Sequence, residues 1–135
     1  MSNQIFIDTS FFKALMDTDD DFYLHAIKKW KLLSQDDREF VTSNFIIDEC
    51  ATLFLYKSSK KTALLFKKCL LEESEVIQVN RVTIQDEVEG WSIFEKKSEK
   101  LSFTDCVSFA QMKRLDITQA LSFDKHFAQV GFNLV

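Results

Sequence analysis

The sequence predicts an α/β fold of three layers, α/β/α, with a mostly parallel central sheet. Three observations carry that expectation. Short apolar runs rich in β-branched and aromatic residues alternate with longer stretches of helical spacing, as strands buried on both faces and joined by crossover helices do. The chain has 135 residues, 46% of them hydrophobic and 14 of them Phe, enough for one core. It contains no Pro and 2 Gly, which excludes collagen-like, disordered and low-complexity organisation. No internal repeat or linker is evident, so one domain over 1–135 is expected.

The elements follow in order. QIFID, from Gln4 to Asp8, reads as a buried strand, and TSFFKALM has helical spacing. Asp19 to Leu33 reads as a helix, acids first and lysines later, in the order that suits the helix dipole. Glu39 to Thr42 is a short strand, and Ser43 to Tyr56 an apolar helix with a Ser or Asn cap at its start. Ser58 to Leu71 is a lysine-studded helix, Glu75 to Val79 a strand, and Thr83 to Lys97 an amphipathic helix. Thr104 to Leu115 is a further helix, with Phe103, Val107, Ala110 and Leu115 roughly on one face. Gln119 to Phe123 is a strand, Asp124 to Gln129 a helical turn, and Phe132 to Val135 a terminal strand.

Charge and cysteine content narrow the function. There are 17 basic and 21 acidic residues, a net charge of −4, so a globally basic nucleic-acid footprint is missing while a local patch stays open. Cys50, Cys69 and Cys106 form no CxxC pair and sit among apolar residues, which reads as reduced, buried thiols rather than a zinc site or a disulfide framework. MSNQIFID does not have the basic-then-apolar order of a signal peptide, and no apolar run is long enough to span a bilayer. A cytoplasmic protein with no membrane partner is expected.

In parallel sheets, ligands sit beyond the carboxyl ends of the strands. Asp8 ends the first strand, Asp124 follows the fourth, and Asp105 begins the helix that leads into the fourth. Glu49 is the fourth candidate. Its helical neighbours are Phe45, Ile46, Thr52 and Leu53, whereas Asp48 shares a face with Asn44, Phe45, Ala51 and Thr52 and is expected to face solvent or cap the helix. Each acid has a plainer role available. Asp105 can be a first-turn acid with Thr104 as its cap, and Asp124 an ordinary cap. Convergence is the informative feature. Two unit charges ~4 Å apart cost about 4 kcal/mol at an effective dielectric near 20, so a cluster must neutralise or take up cations. Carboxylate oxygens suit Mg²⁺ or Mn²⁺, and such ions complete their shells with water and substrate phosphates, which points to phosphodiester chemistry.

The segments IFIDTSFF, FIIDECATLF, LSFTDCVSFAQMKR and ALSFDKHFAQVGF resemble PIN-domain proteins, most closely the single-domain VapC-like toxins of toxin–antitoxin pairs, over essentially the whole chain. The resemblance implies a PIN-like fold and a Mg²⁺- or Mn²⁺-dependent ribonuclease. Asp8, Glu49, Asp105 and Asp124 would be the catalytic, metal-holding acids, with Thr9, Ser10 and Thr104 in support. Asp8 and Asp105 would hold the principal ion; Glu49 and Asp124 would complete its ligation or hold a second. It also implies an RNA substrate, a cognate antitoxin that blocks the negative pocket, and a homodimer. His126 is read as a packing or surface residue. Lys57, Lys60 and Lys61, Lys96, Lys97 and Lys100, and Lys113 with Arg114 are candidate phosphate contacts against the plainer reading of solvated faces. Phe11, Phe12 and Trp30 could stack bases but suit the core or an interface better. The alternative is a non-catalytic PIN-like module that binds RNA or protein. A haloacid-dehalogenase-like loop would need a DxD sequence where this chain has Asp8-Thr9-Ser10, and a receiver domain would need paired acids at that strand end.

Overall fold

The computed structural model describes residues 3–135. The elements run β1 (Gln4–Ile7), α1 (Thr9–Met16), α2 (Tyr23–Ser34), β2 (Glu39–Ser43), α3 (Asn44–Lys57), α4 (Lys60–Glu72), β3 (Ile77–Asn80), α5 (Ile84–Lys96), α6 (Phe103–Arg114), β4 (Gln119–Leu121), α7 (His126–Gln129) and β5 (Asn133–Leu134). The five strands form one sheet in the order β3-β2-β1-β4-β5, and every pairing is parallel. Successive side chains of β1 point to opposite faces, yet Ile5, Phe6 and Ile7 are all fully buried, so helices cover both faces of the sheet as the α/β/α arrangement requires. Phe6, Phe40, Ile46, Met112, Leu121 and Phe127 anchor the core, each burial removing about 1.5–3 kcal/mol of apolar exposure. Cys50 and Cys106 are buried free thiols, and burial pushes both thiols upward in pKa.

Local chemistry sets the helix starts. The Ser43 hydroxyl accepts from the Ile46 N–H at 3.1 Å and caps α3; Ser59 does the same for α4 through Thr62 at 3.1 Å. Thr83 with Asp86 and Ser102 with Asp105 form reciprocal capping boxes for α5 and α6. The cap of α6 is therefore Ser102, not Thr104, which lies inside the helix. The second helix begins at Tyr23 rather than Asp19. The acids before it are spent on turns instead: Asp17 accepts from the Asp19 N–H at 3.0 Å and Asp20 from the Phe22 N–H at 2.8 Å, both competing with helical pairing. Gly131, at φ +103°, makes the left-handed turn from α7 into β5.

Helices α5 and α6 pack antiparallel and unusually close. A Cβ on Gly90 would lie 2.7 Å from Val107 Cγ2 and 3.2 Å from the Val107 Cα and backbone N. The backbone cannot yield as a side-chain tip can. Gly90→Ala gains helix propensity of up to about 1 kcal/mol, but overpacking of about 1–3 kcal/mol outweighs it. We expect a net loss of about 1–2 kcal/mol in chemical denaturation, and an unchanged or raised midpoint would refute the close contact.

Candidate acidic site

The strand order reverses direction between β1 and β4: crossovers lead from β1 out to β2 and β3, and then across to β4 and β5. Such a switch point opens a crevice beyond the strand ends. Asp8 stands there. Its N–H donates to the Leu121 carbonyl at 3.1 Å, and its side chain caps α1. One carboxylate oxygen, Oδ2, accepts three hydrogen bonds: from Ser10 N–H at 3.3 Å, Ser10 Oγ at 2.9 Å and Ser122 Oγ at 2.9 Å. The other, Oδ1, accepts none of them. Burial pushes the Asp8 carboxyl above its ordinary pKa, and the Ser10 and Ser122 hydroxyls with the Ser10 and Thr9 N–H groups oppose the rise. The two serines extend the junction, since Ser10 Oγ accepts from the Phe123 N–H and Ser122 Oγ from the Asp124 N–H, each at 2.9 Å.

Asp105 sits in the first turn of α6, where its Oδ2 accepts from the Ser102 N–H at 3.2 Å. Its carboxyl is pushed up to about 6 from 3.8, first by desolvation, then by the charges of Asp8, Asp124 and, more weakly, Glu49, against the Ser102 hydrogen bond. The other three sequence-nominated acids, Asp8, Asp124 and Glu49, thus all act on Asp105 electrostatically. The folded state of Asp105 holds its proton up to a higher pH than the unfolded state does. Through the window from 3.8 to about 6 the ion-free protein therefore loses stability as pH rises. That rise corresponds to roughly 3 kcal/mol, and partial solvent exposure reduces the expected loss to about 1–2 kcal/mol. Denaturant unfolding in EDTA at about pH 4 and pH 7 should show it, with Asp105→Asn losing that part of the slope; identical slopes would overturn the coupling.

Glu49, half-buried on α3, accepts from the Thr9 hydroxyl, while Asp48 is exposed. Asp124 is half-buried just before α7. Asp105, Asp124 and His126 each offer one ligand atom within 4.8 Å of the others. Asp8 and Glu49 are not members of that tight group. Thr104 is half-buried, and its hydroxyl makes no hydrogen bond among the described residues. His126, read from sequence as packing or surface, is instead turned into the cluster. Its Nδ1 lies 2.8 Å from Asp124 Oδ1 without forming an aligned hydrogen bond. Ser122, buried against Asp8, is a further site residue beyond those the sequence predicts. The signal for both lay in the LSFDKH segment, where side chains flanking Asp124 at the end of a strand must face the same crevice.

The surface around the acids differs from the sequence reading in two respects. Arg114 is committed to a buried acid: Nε to Asp86 Oδ1 at 2.8 Å and Nη2 to Asp86 Oδ2 at 2.9 Å, with Nη2 also 3.2 Å from Asn80 Oδ1. It is therefore a structural cation, and it lies nine residues, about 14 Å along α6, from Asp105. The candidate lysines at 57, 60, 61, 96, 97, 100 and 113 are all exposed. Phe11 and Phe12 are core residues, and Trp30 packs on Phe40 at 4.7 Å between ring centroids. Trp91 and Phe94 are accessible rings in contact with Phe103, two residues before Asp105; the Trp91 and Phe103 ring centroids are 4.1 Å apart. An open groove of about 490 Å³, lined by Ser10, Lys13, Phe22, Phe123, Asp124 and Lys125 among others, borders the acids. The apolar cleft between α3 and α4, about 420 Å³ and lined by Ile47, Leu55, Leu64 and Leu70, contains none of them.

Comparison with known proteins agrees with this geometry. The PIN domain model matches residues 5–133. The 23S rRNA-specific endonuclease VapC20 of two Mycobacterium tuberculosis strains is 32% identical over 129 residues, covering 95% of this chain and 95% of the relative. The crystal structure of M. tuberculosis VapC20, described as a sarcin–ricin loop cleaving toxin, matches with a TM-score of 0.85 at 29% identity over 95% of both chains. A family match over nearly the whole length, on an all-parallel sheet whose order reverses at Asp8, means that this chain belongs to the PIN domain family.

Proposed function

We propose that this chain is a Mg²⁺- or Mn²⁺-dependent endoribonuclease and the toxin of a toxin–antitoxin pair, working as one domain over 1–135. The observation that supports it most is the gathering of acids at the switch point of the sheet, where the charges of Asp8, Asp124 and Glu49 all bear on Asp105. The donor set fits a hard divalent ion. Ligands held at roughly 2.0–2.5 Å from a common centre lie within about 5 Å of one another, as the Asp105, Asp124 and His126 atoms do. A bound ion supplies Lewis-acid chemistry and neutralises charge developing on a phosphodiester.

The chain's own contribution is positioning. Ser10 and Ser122 fix one oxygen of Asp8 and leave the other clear of their hydrogen bonds. Thr9 orients Glu49 from the neighbouring helix. Asp105 and Asp124 present carboxylates from α6 and from the loop after β4. Thr104 has no bond of this kind among the described residues, and its support of the site is through packing. Trp91, Phe94 and Phe103 offer faces for unpaired bases beside Asp105, while Lys97, Lys100 and Lys125 are exposed cations suited to phosphates.

By likeness to VapC20, a structured loop of ribosomal RNA is the substrate class, and the protein works in the cytoplasm. A cognate antitoxin would insert a basic side chain into the negative pocket. A homodimer is the expected assembly. Purified protein incubated with 23S rRNA should cut it with Mg²⁺ or Mn²⁺ and stop in EDTA. Cleavage that persists without divalent ions, or returns with zinc alone, would overturn this reading.

A further inference from the structure

We infer that the His126 imidazole is a nitrogen donor to the ion, alongside Asp105 and Asp124; the inference rests on the metal-dependent reading above. Three observations converge on it. The Nδ1 of His126 is buried and has no hydrogen-bond partner, although Asp124 Oδ1 is only 2.8 Å away. That oxygen already accepts from the His126 backbone N–H at 2.9 Å, which anchors the ring at the start of α7. One atom from each of Asp105, Asp124 and His126 falls within 4.8 Å of the other two. A neutral imidazole presents a lone pair at an unprotonated ring nitrogen. A ring nitrogen and a carboxylate oxygen 2.8 Å apart are spaced as neighbouring ligands of one cation are, and neutral imidazole is a common metal ligand.

The consequence is selectivity. An oxygen-only site discriminates weakly among hard divalent ions, whereas an added nitrogen favours Mn²⁺ and Co²⁺ over Mg²⁺. The side chain needed for this lies two residues beyond Asp124, so a single short segment supplies both an oxygen and a nitrogen donor.

The test uses the full chain loaded with Mn²⁺. Pulsed EPR should detect ¹⁴N coupling to the bound ion in the unaltered protein and in His25→Ala, which removes the chain's other histidine, and should lose it in His126→Ala. His126→Gln, which keeps bulk against α7, should lose it as well, so a poorly folded alanine variant does not decide the matter. Calorimetry should show Co²⁺ affinity falling about tenfold or more in His126→Gln, with Mg²⁺ affinity nearly unchanged. Mn²⁺ bound without ¹⁴N coupling, or coupling that survives both His126 substitutions, overturns the inference while leaving the metal-dependent reading intact. No Mn²⁺ binding at all by the unaltered protein overturns both.

Discussion

On the proposed metal-dependent mechanism, Asp8→Asn and Asp105→Asn should each reduce RNA cleavage by at least about a hundredfold, because each would remove a negative charge that holds the ion. The two act differently. At Asp8 the three donors on Oδ2 decide which way an asparagine turns: its carbonyl oxygen takes their hydrogen bonds, and its amide NH₂ is left in the place of Oδ1. At that position an acceptor becomes a donor, which repels a cation. At Asp105 the amide oxygen can still accept from Ser102 and cap α6, so the helix survives while one mutually repelling charge disappears. Asp105→Asn should therefore raise stability at neutral pH by about 1–2 kcal/mol in EDTA. Cleavage of an end-labelled rRNA fragment, run beside thermal melts, measures both. Undiminished cutting by either clean preparation would end the nuclease assignment for these residues.

Arg114→Ala should lower stability by about 2–3 kcal/mol, the largest loss expected from any single charged side chain here. Asp86 is 2% exposed in its side chain and would keep only its backbone contact with Thr83 as compensation. Arg114 is itself one-third exposed, which holds the effect below that of a fully buried pair. The same pair keeps the Asp86 carboxyl below its usual range, through hydrogen bonding that outweighs desolvation. Asp86→Asn should cost less, because the amide still accepts from Thr83 and from one guanidinium N–H. Cleavage per folded molecule should stay unchanged in Arg114→Ala. A selective loss of RNA binding with full stability would return Arg114 to the role of phosphate contact.

The fold was legible because buried parallel strands announce themselves. QIFID and EFVT are short, apolar and β-branched, and nothing else in the chain competes for those stretches. Helix starts were less legible where polar side chains had two uses. Asp17 and Asp20 make turns before α2, and Ser102 rather than Thr104 caps α6; sequence offers both options, and tertiary packing chooses. The four carboxylates could be nominated from topology, since strand ends and helix starts share one edge of a parallel sheet. Long-range pairings could not. Nothing in the sequence links Asp86 to Arg114, 28 residues away, or turns the ring of His126 inward rather than outward. Surface position was equally opaque for the aromatics. Phe11 and Trp91 are alike as residue types, and only packing shows that the first is core and the second accessible.

The junction of Ser10 with Ser122 bridges 112 residues of sequence. Asp8 therefore emerges from the ribosome long before the hydroxyl that completes its cradle and before Asp124. A partly translated chain can carry the first acid before the residues that complete its surroundings exist. The site assembles only when β4 pairs beside β1, so its acids come together late in synthesis.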